Sequence, residues 1–195
     1  MNGGVKRSLS EPADRLLATA FTLLILALGF SAFGIVTMLI FTSGFAGGLA
    51  LWMLAPRRPA YDAIRIPYLV ALVLFVVHRI EENQSDFFAR LATITGVPTP
   101  NVLSVSIILL VVASVGAWLA IPFFVRRGYE FGYYLAWTFF AAMGITELAH
   151  LFVFPFFSPT PFAYFPGMAS VLALAPVAWW GMYRLWSGGI YGTRS

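Results

Sequence analysis

The sequence predicts an all-α fold, a polytopic transmembrane helical bundle with about six spans. Three observations predict it. Of the 195 residues, 60% are apolar and only 10% are Asp, Glu, Lys or Arg, where a soluble domain carries about 25% charge. Apolar stretches of membrane-spanning length recur along the chain, so the first is an anchor and not a removable leader. Arginines punctuate those stretches at intervals that suit alternating membrane faces.

Taken in order, residues 1–15 are small, polar and basic and form the expected cytoplasmic N-terminal segment. Ser10 suits a helix N-cap, with Pro12 and Asp14 in the first turn behind it. Residues 16–55 read as an apolar transmembrane hairpin. The run from Leu16 to Phe41 is followed by Thr42-Ser43-Gly44 and Gly47-Gly48, which are expected to form the turn before a second run ending at Leu54. About 40 residues without a charge are too many for one crossing and fit two.

Residues 56–188 are expected to form a motif-bearing helical bundle. Arg57-Arg58-Pro59 is a basic loop, and a helix runs from Tyr61 into His78. The charged segment from Arg79 to Asp86 leads to Phe87-Phe88 and a loop with Gly96, Pro98 and Pro100. A span from near Asn101 reaches Val125, Arg126-Arg127-Gly128 turns the chain, and Phe131 to Phe157 span again before Pro159 and Pro161. The last span lies between Pro166 and Trp186, and residues 189–195 form a cytoplasmic tail. Glu130 is expected to pair with Arg126 and Arg127 at the inner surface.

Basic-residue counting gives the orientation. With six spans Lys6, Arg7, Arg15, Arg57, Arg58, Arg126, Arg127, Arg184 and Arg194 fall inside, while Arg79 and Arg90 stay outside. Both termini are then cytoplasmic, in a bacterial inner membrane. Trp179, Trp180, Tyr183 and Trp186 are read as interfacial anchors. The net charge of +4 is dispersed, which points to membrane sidedness and to no nucleic-acid partner. With no cysteine, any metal must take oxygen or nitrogen ligands.

Both histidines and three of the five glutamates fall in two short patterns, His78-x-x-Glu81-Glu82 and Glu147-x-x-His150. Residues three or four apart share a helix face, so each pattern presents an imidazole with a carboxylate. Counting helical rise, His78 lies roughly 26 Å beyond Tyr61, and Glu147 and His150 roughly 24 and 28 Å beyond Phe131. The two motifs therefore reach similar depth near the outer face. Ionisable groups at that depth are expensive unless paired, hydrated or bound to an ion. A divalent transition metal accounts for the set, with His78, Glu81, Glu82, Glu147 and His150 as ligands of one Zn or bridging two Fe or Mn ions. Glu82 is also a candidate catalytic base, and Tyr164, after a Pro-rich outer loop, a candidate proton donor or substrate contact. Asn83, Gln84 and Asp86 read as an ordinary outer cap.

At His78-Arg79-Ile80-Glu81-Glu82 the chain resembles the small bacterial membrane proteins named for their HXXEE motif, and Glu147-Leu148-Ala149-His150 and Tyr164-Phe165-Pro166-Gly167 extend the likeness. It covers roughly Pro59 to Trp186, leaving the apolar extension from Leu16 to Leu54 outside the pattern. The resemblance implies a multi-span protein and the grouping of these motif residues; the family has no generally assigned reaction.

The leading functional expectation is a metal-dependent integral membrane enzyme acting on a lipophilic small molecule or lipid near the outer membrane face, by hydrolysis or isomerisation. An oxidative reaction needs a redox-active metal and an electron source, and none is visible in the sequence. The rival from another class is a proton- or ion-coupled transporter using the same His/Glu cluster. In a third reading the cluster only pins helices together.

Overall fold

The computed structural model describes residues 12–55, 57–99 and 101–188. The expected N-terminal segment up to residue 11, with Lys6, Arg7 and Ser10, and the tail from residue 189, with Arg194, lie outside the described residues. The chain is an all-α bundle with helices α1 (Pro12–Leu54), α2 (Tyr61–Gln84), α3 (Phe87–Thr95), α4 (Val105–Leu119), α5 (Ile121–Arg126) and α6 (Glu130–Gly144). A 3-10 turn (Thr146–Leu148), two short helices α7 (Ala149–Phe152) and α8 (Phe154–Phe157), and the long α9 (Met168–Ser187) complete it. Among the described residues, four stretches are long and apolar enough to cross a bilayer: Pro12–Val36, Tyr61–Gln84, Val105–Arg126 and Glu130–Phe157.

The break in the first apolar run falls at Gly34, not at the expected turn between Thr42 and Gly48. Gly34 has φ 74° and ψ −176°, a region open in practice only to glycine. Beyond it the chain doubles back, because Tyr134 on α6 touches both arms. Its hydroxyl is 2.7 Å from Thr22 Oγ1, and its ring centroid lies 5.8 Å from that of Trp52. A straight helix would put Thr22 and Trp52 roughly 45 Å apart.

The glycines expected to turn the chain serve close packing instead. A Cβ on Gly48 would sit 2.5 Å from Thr138 Cα, and one on Gly44 would sit 2.9 Å from Ala142 Cα. Gly44 and Gly48 thus form a small-xxx-small stripe that lets α1 lie directly on the α6 backbone. Helix α6 is the core of the bundle, buried at every residue from Gly132 to Gly144, with α1, α2, α4, α5 and α9 all packed on it.

The two ends of the bundle differ in chemistry. At one end the Arg58 Nε–H donates to Glu130 Oε2 at 2.7 Å, and the Arg57 guanidinium donates to Ser187 O. There the Arg184 Nε–H donates to Ala63 O at 2.8 Å, and the Tyr133 hydroxyl to Pro59 O at 3.1 Å. Glu130 therefore pairs with Arg58 across the loop and not with its sequence neighbours. Arg126 lies over the Tyr61 ring at 4.7 Å and Arg127 over Phe123 at 3.7 Å, each cation taking an aromatic face. At the other end the C-terminus of α2, the broken segment after α6 and the loop before α9 converge on the histidines.

If Gly48 is a packing glycine, Gly48→Val should lower stability by about 1–3 kcal/mol through overpacking. Gly47→Ala, whose Cβ meets nothing within 4 Å, should be neutral. Thermal unfolding of both variants in detergent checks this, and equal melting temperatures would contradict it.

Candidate metal centre

The site is assembled by three local features of the chain. In the last turns of α2, Glu82 lies four residues after His78, so the two side chains share one face, while Glu81 points about 100° away. The second feature is a break in the expected Phe131–Phe157 span. Helix α6 stops at Gly144, Ile145 leaves helical geometry (φ −123°, ψ −55°), and Thr146–Leu148 winds as a 3-10 turn. The Trp179 indole N–H donates to Gly144 O at 2.7 Å, satisfying a carbonyl at the break. Irregular backbone inside an apolar bundle is tolerated where neighbours supply such partners or where it lines a cavity.

The third feature is the Pro166-Gly167 turn into α9. Gly167 has φ +93°, and a Cβ there would lie 2.5 Å from His150 Nδ1 and 2.7 Å from His78 Cε1. Only glycine lets the backbone approach both imidazoles so closely.

These features bring four side chains into one ring. His78 Nε2 is 3.1 Å from Glu147 Oε2 and 3.5 Å from Glu82 Oε1. His150 Nε2 is 3.2 Å from Glu147 Oε2 and 3.3 Å from Glu82 Oε1. One potential ligand atom from each residue lies within 4.8 Å of all the others. The imidazole centroids are 4.8 Å apart with their planes at 90°. Burial is nearly complete, with side-chain exposure of 0% for His78, 3% for Glu82 and His150, and 13% for Glu147.

Hydrogen bonds behind the ring orient its imidazoles. His150 Nδ1 lies 2.5 Å from Pro166 O, and a carbonyl only accepts, so Nδ1 carries the proton. His78 Nδ1 lies 2.8 Å from Ser170 Oγ, and that hydroxyl donates to Gly167 O at 3.2 Å. Ser170 therefore accepts from His78. In the neutral tautomer each histidine turns its Nε2 lone pair toward the two carboxylate oxygens, the arrangement a metal ligand needs.

The ring's dimensions fit a cation. Four alternating nitrogen and oxygen atoms with edges of 3.1–3.5 Å have a common centre about 2.0 Å from each if puckered to a tetrahedron. If the ring is flat the distance is about 2.3 Å; the first value is that of first-row metals on N and O donors, and the second exceeds it by about 0.1–0.2 Å, within reach of a small side-chain shift. The second Glu82 oxygen pairs with the Arg79 guanidinium, and no hydrogen bond of good geometry reaches that buried oxygen.

Of the five ligands expected from sequence, the structure joins His78, Glu82, Glu147 and His150 and leaves Glu81 apart. Glu81 caps α9: its Oε1 accepts from the backbone N–H groups of Gly167 and Ala169 at 3.1 Å each, and Oε2 accepts from the Ser170 N–H at 2.8 Å. A carboxylate at a helix N-terminus meets unpaired N–H groups and the positive end of the dipole. Tyr164, the expected proton donor, is half exposed and donates its hydroxyl to Glu81 Oε1, so it faces the cap and not the ring. Partial burial, followed by the Glu81 carboxylate, raises its phenol to about 12, which keeps it a donor at neutral pH.

Sequence reasoning did not find Ser170, Pro166 O or Arg79. Ser170 and Pro166 act through atoms that no spacing rule marks, and Arg79 was read only as an outer charge. No family model, curated protein or solved structure matches the chain, so the meaning of the site rests on its geometry.

The separation of roles predicts that Glu81→Gln lowers thermal stability by about 1–3 kcal/mol, the range for weakened hydrogen bonds to a charged acceptor, while leaving metal content unchanged. Unfolding and elemental analysis on the same sample check it. Metal loss equal to that of His150→Ala would return Glu81 to the ligand set.

Proposed function

We propose that the chain is a metal-dependent integral membrane enzyme that acts on a lipophilic substrate, with His78, Glu82, Glu147 and His150 holding a single divalent transition metal. The observation that carries this reading is the ring of four convergent donor atoms whose two imidazoles are held from behind. Four donors within 4.8 Å favour one ion over a two-metal site, which draws on more carboxylates. The mixed nitrogen and oxygen set suits Zn, Fe, Mn or Co.

Bound there, a divalent ion supplies Lewis acidity toward a substrate carbonyl or phosphoryl oxygen, which serves hydrolysis or isomerisation. The chain's own residues do the rest. Glu82 Oε2, beside Arg79, is the carboxylate oxygen placed to take or return a proton at the substrate. Arg79 provides a fixed positive charge for a substrate oxygen, and Phe87 and Phe154 against the His150 ring exclude water.

We place the protein in a bacterial cytoplasmic membrane with six crossings, the short second arm of α1 and α9 joining the four longer stretches. Basic loops gathered at one end of the bundle, opposite the cluster, support cytoplasmic termini and a site near the outer face. The likeness to the HXXEE proteins agrees with this reading. Between the cluster and the basic end, Tyr68, Phe139 and Phe140 are buried and packed, which favours an enzyme over a through-membrane relay.

Elemental analysis of purified protein supplied with Zn, Fe and Mn tests the proposal. Roughly one ion per chain is expected for wild type, and none for His78→Ala or His150→Ala in folded samples. Ser170→Ala should keep the ion at about 10–100-fold lower affinity, the range for loss of a partner behind a ligand. Negligible metal in folded wild type with every metal supplied would falsify the reading.

A further inference from the structure

A second feature touches the cluster without belonging to it. A cavity of about 220 Å³ runs from Arg79, Thr146 and Glu147 into the bundle. One wall is a stripe along α4 made by Ile107, Leu110, Ser114 and Trp118, residues three or four apart on one helix face. Phe45, Phe75 and Met143 form the facing wall. The stripe covers roughly 16 Å of helix. An extended chain advances roughly 1.2 Å per bond, as an extended backbone does, so the stripe is long enough for an alkyl chain of about thirteen bonds.

Polarity in this cavity is confined to one end. The Ser114 hydroxyl donates to Leu110 O at 2.6 Å, and the Trp118 indole N–H donates to Thr138 Oγ1 at 3.3 Å. The deep wall therefore presents hydrocarbon even where its residues are polar. At the other end stand Arg79 and Glu147. Arg79 also borders the pocket around Glu82 and His150 and a polar mouth with Asn83, Asp86 and Thr99, so one guanidinium sits where three spaces meet. Val111 lines the cavity and is 50% exposed, which opens the slot sideways toward lipid.

We infer that this cavity is the chain slot of a single-chain amphiphile whose polar head, an oxygen group of one negative charge, lies between Arg79 and the His/Glu ring. The sign of the head rests on the metal reading above. With a divalent ion bound, the charges of Glu82 and Glu147 are cancelled, and Arg79 leaves a net positive charge for the head. The chain slot stands on the cavity alone. One slot of about 220 Å³ and a single charged junction suit one chain and one head; a two-chain lipid would leave its second chain without a place.

Fluorescence quenching by bromine-tipped eleven-carbon probes tests this, since Trp118 lines the slot. The probes are 11-bromoundecanoate, 11-bromoundecanol and 11-bromoundecyl-trimethylammonium, each read in detergent as the difference between wild type and Trp118→Phe. Quenching of Trp118 by the alcohol is expected with and without metal, and is expected to be lost in the plug variants Ser114→Phe and Val115→Phe, Val115 also lining the cavity. Two plugs are used because either alone can perturb folding, and circular dichroism with melting selects the folded one. In metal-loaded protein the carboxylate should bind about tenfold or more tightly than the ammonium, and Arg79→Gln should remove most of that preference, as expected for one charge pair at a partly buried site. Unchanged quenching in a folded plug variant, or none by any probe, overturns the slot. Equal affinity for the two charged heads in metal-loaded protein overturns the head assignment. Metal content of each sample, measured in parallel, separates these failures from failure of the metal centre: alcohol quenching in protein that takes up no metal leaves the slot standing and removes the ion.

Discussion

The buried ring of two imidazoles and two carboxylates is the constraint around which the cluster end of the bundle is organised. Buried charged or polar groups are tolerated only with partners, and these partners come from separate regions of the chain. Ser170 and Pro166 come from the approach to α9, Arg79 from α2, and the carboxylate of Glu147 from a break in the core segment. Satisfying the ring therefore fixes how three elements meet. The Gly167 turn follows from it, because any side chain there would occupy the space of both imidazoles.

The opposite end is built on a different principle. There single cations meet single acceptors or ring faces: Arg58 with Glu130, Arg57 with Ser187 O, Arg184 with Ala63 O, and Arg126 over Tyr61. These contacts tie the loop after α1, the turn before α6 and the end of α9 into one basic face. Between the ends, α6 carries the packing, and the Gly44–Gly48 stripe lets α1 lie close against it. The bundle is thus polar in the literal sense, with surface cations at one end and buried alternating donors at the other.

That the chain is an all-α bundle with several long apolar helices was legible because composition and recurrent apolar length do not depend on tertiary detail. The pairing of His78 with His150 was legible for a similar reason, since helical rise places both motifs at one depth. What sequence reasoning missed depends on local backbone geometry. Nothing in residue identity distinguishes Gly34, which breaks the helix, from Gly44 and Gly48, which pack it; only the opposing face of α6 does. Glu81 and Glu82 are adjacent and identical, and their separation into helix cap and ring member follows from where α9 begins. Ser170 had no signal at all, because a serine in the first turn of an apolar helix is ordinary until an imidazole is found beside it.

The chemistry of the ring bears on the choice between a structural and a functional cluster. With both Nδ1 protons committed to Ser170 and Pro166 O, two neutral imidazoles present lone pairs to two carboxylates, and no hydrogen lies between acceptors. The arrangement lacks two positive charges. One divalent ion supplies them. As a structural pin the ring is a poor choice, since four apolar side chains of similar volume commonly give equal or greater stability than four buried ionisable ones. As a binding site the same arrangement has a purpose: the hydrogen bonds behind each imidazole keep the donor atoms in position for a cation. Its position at the head of an apolar cavity then gives such a cation something to act on, which a helix pin does not need.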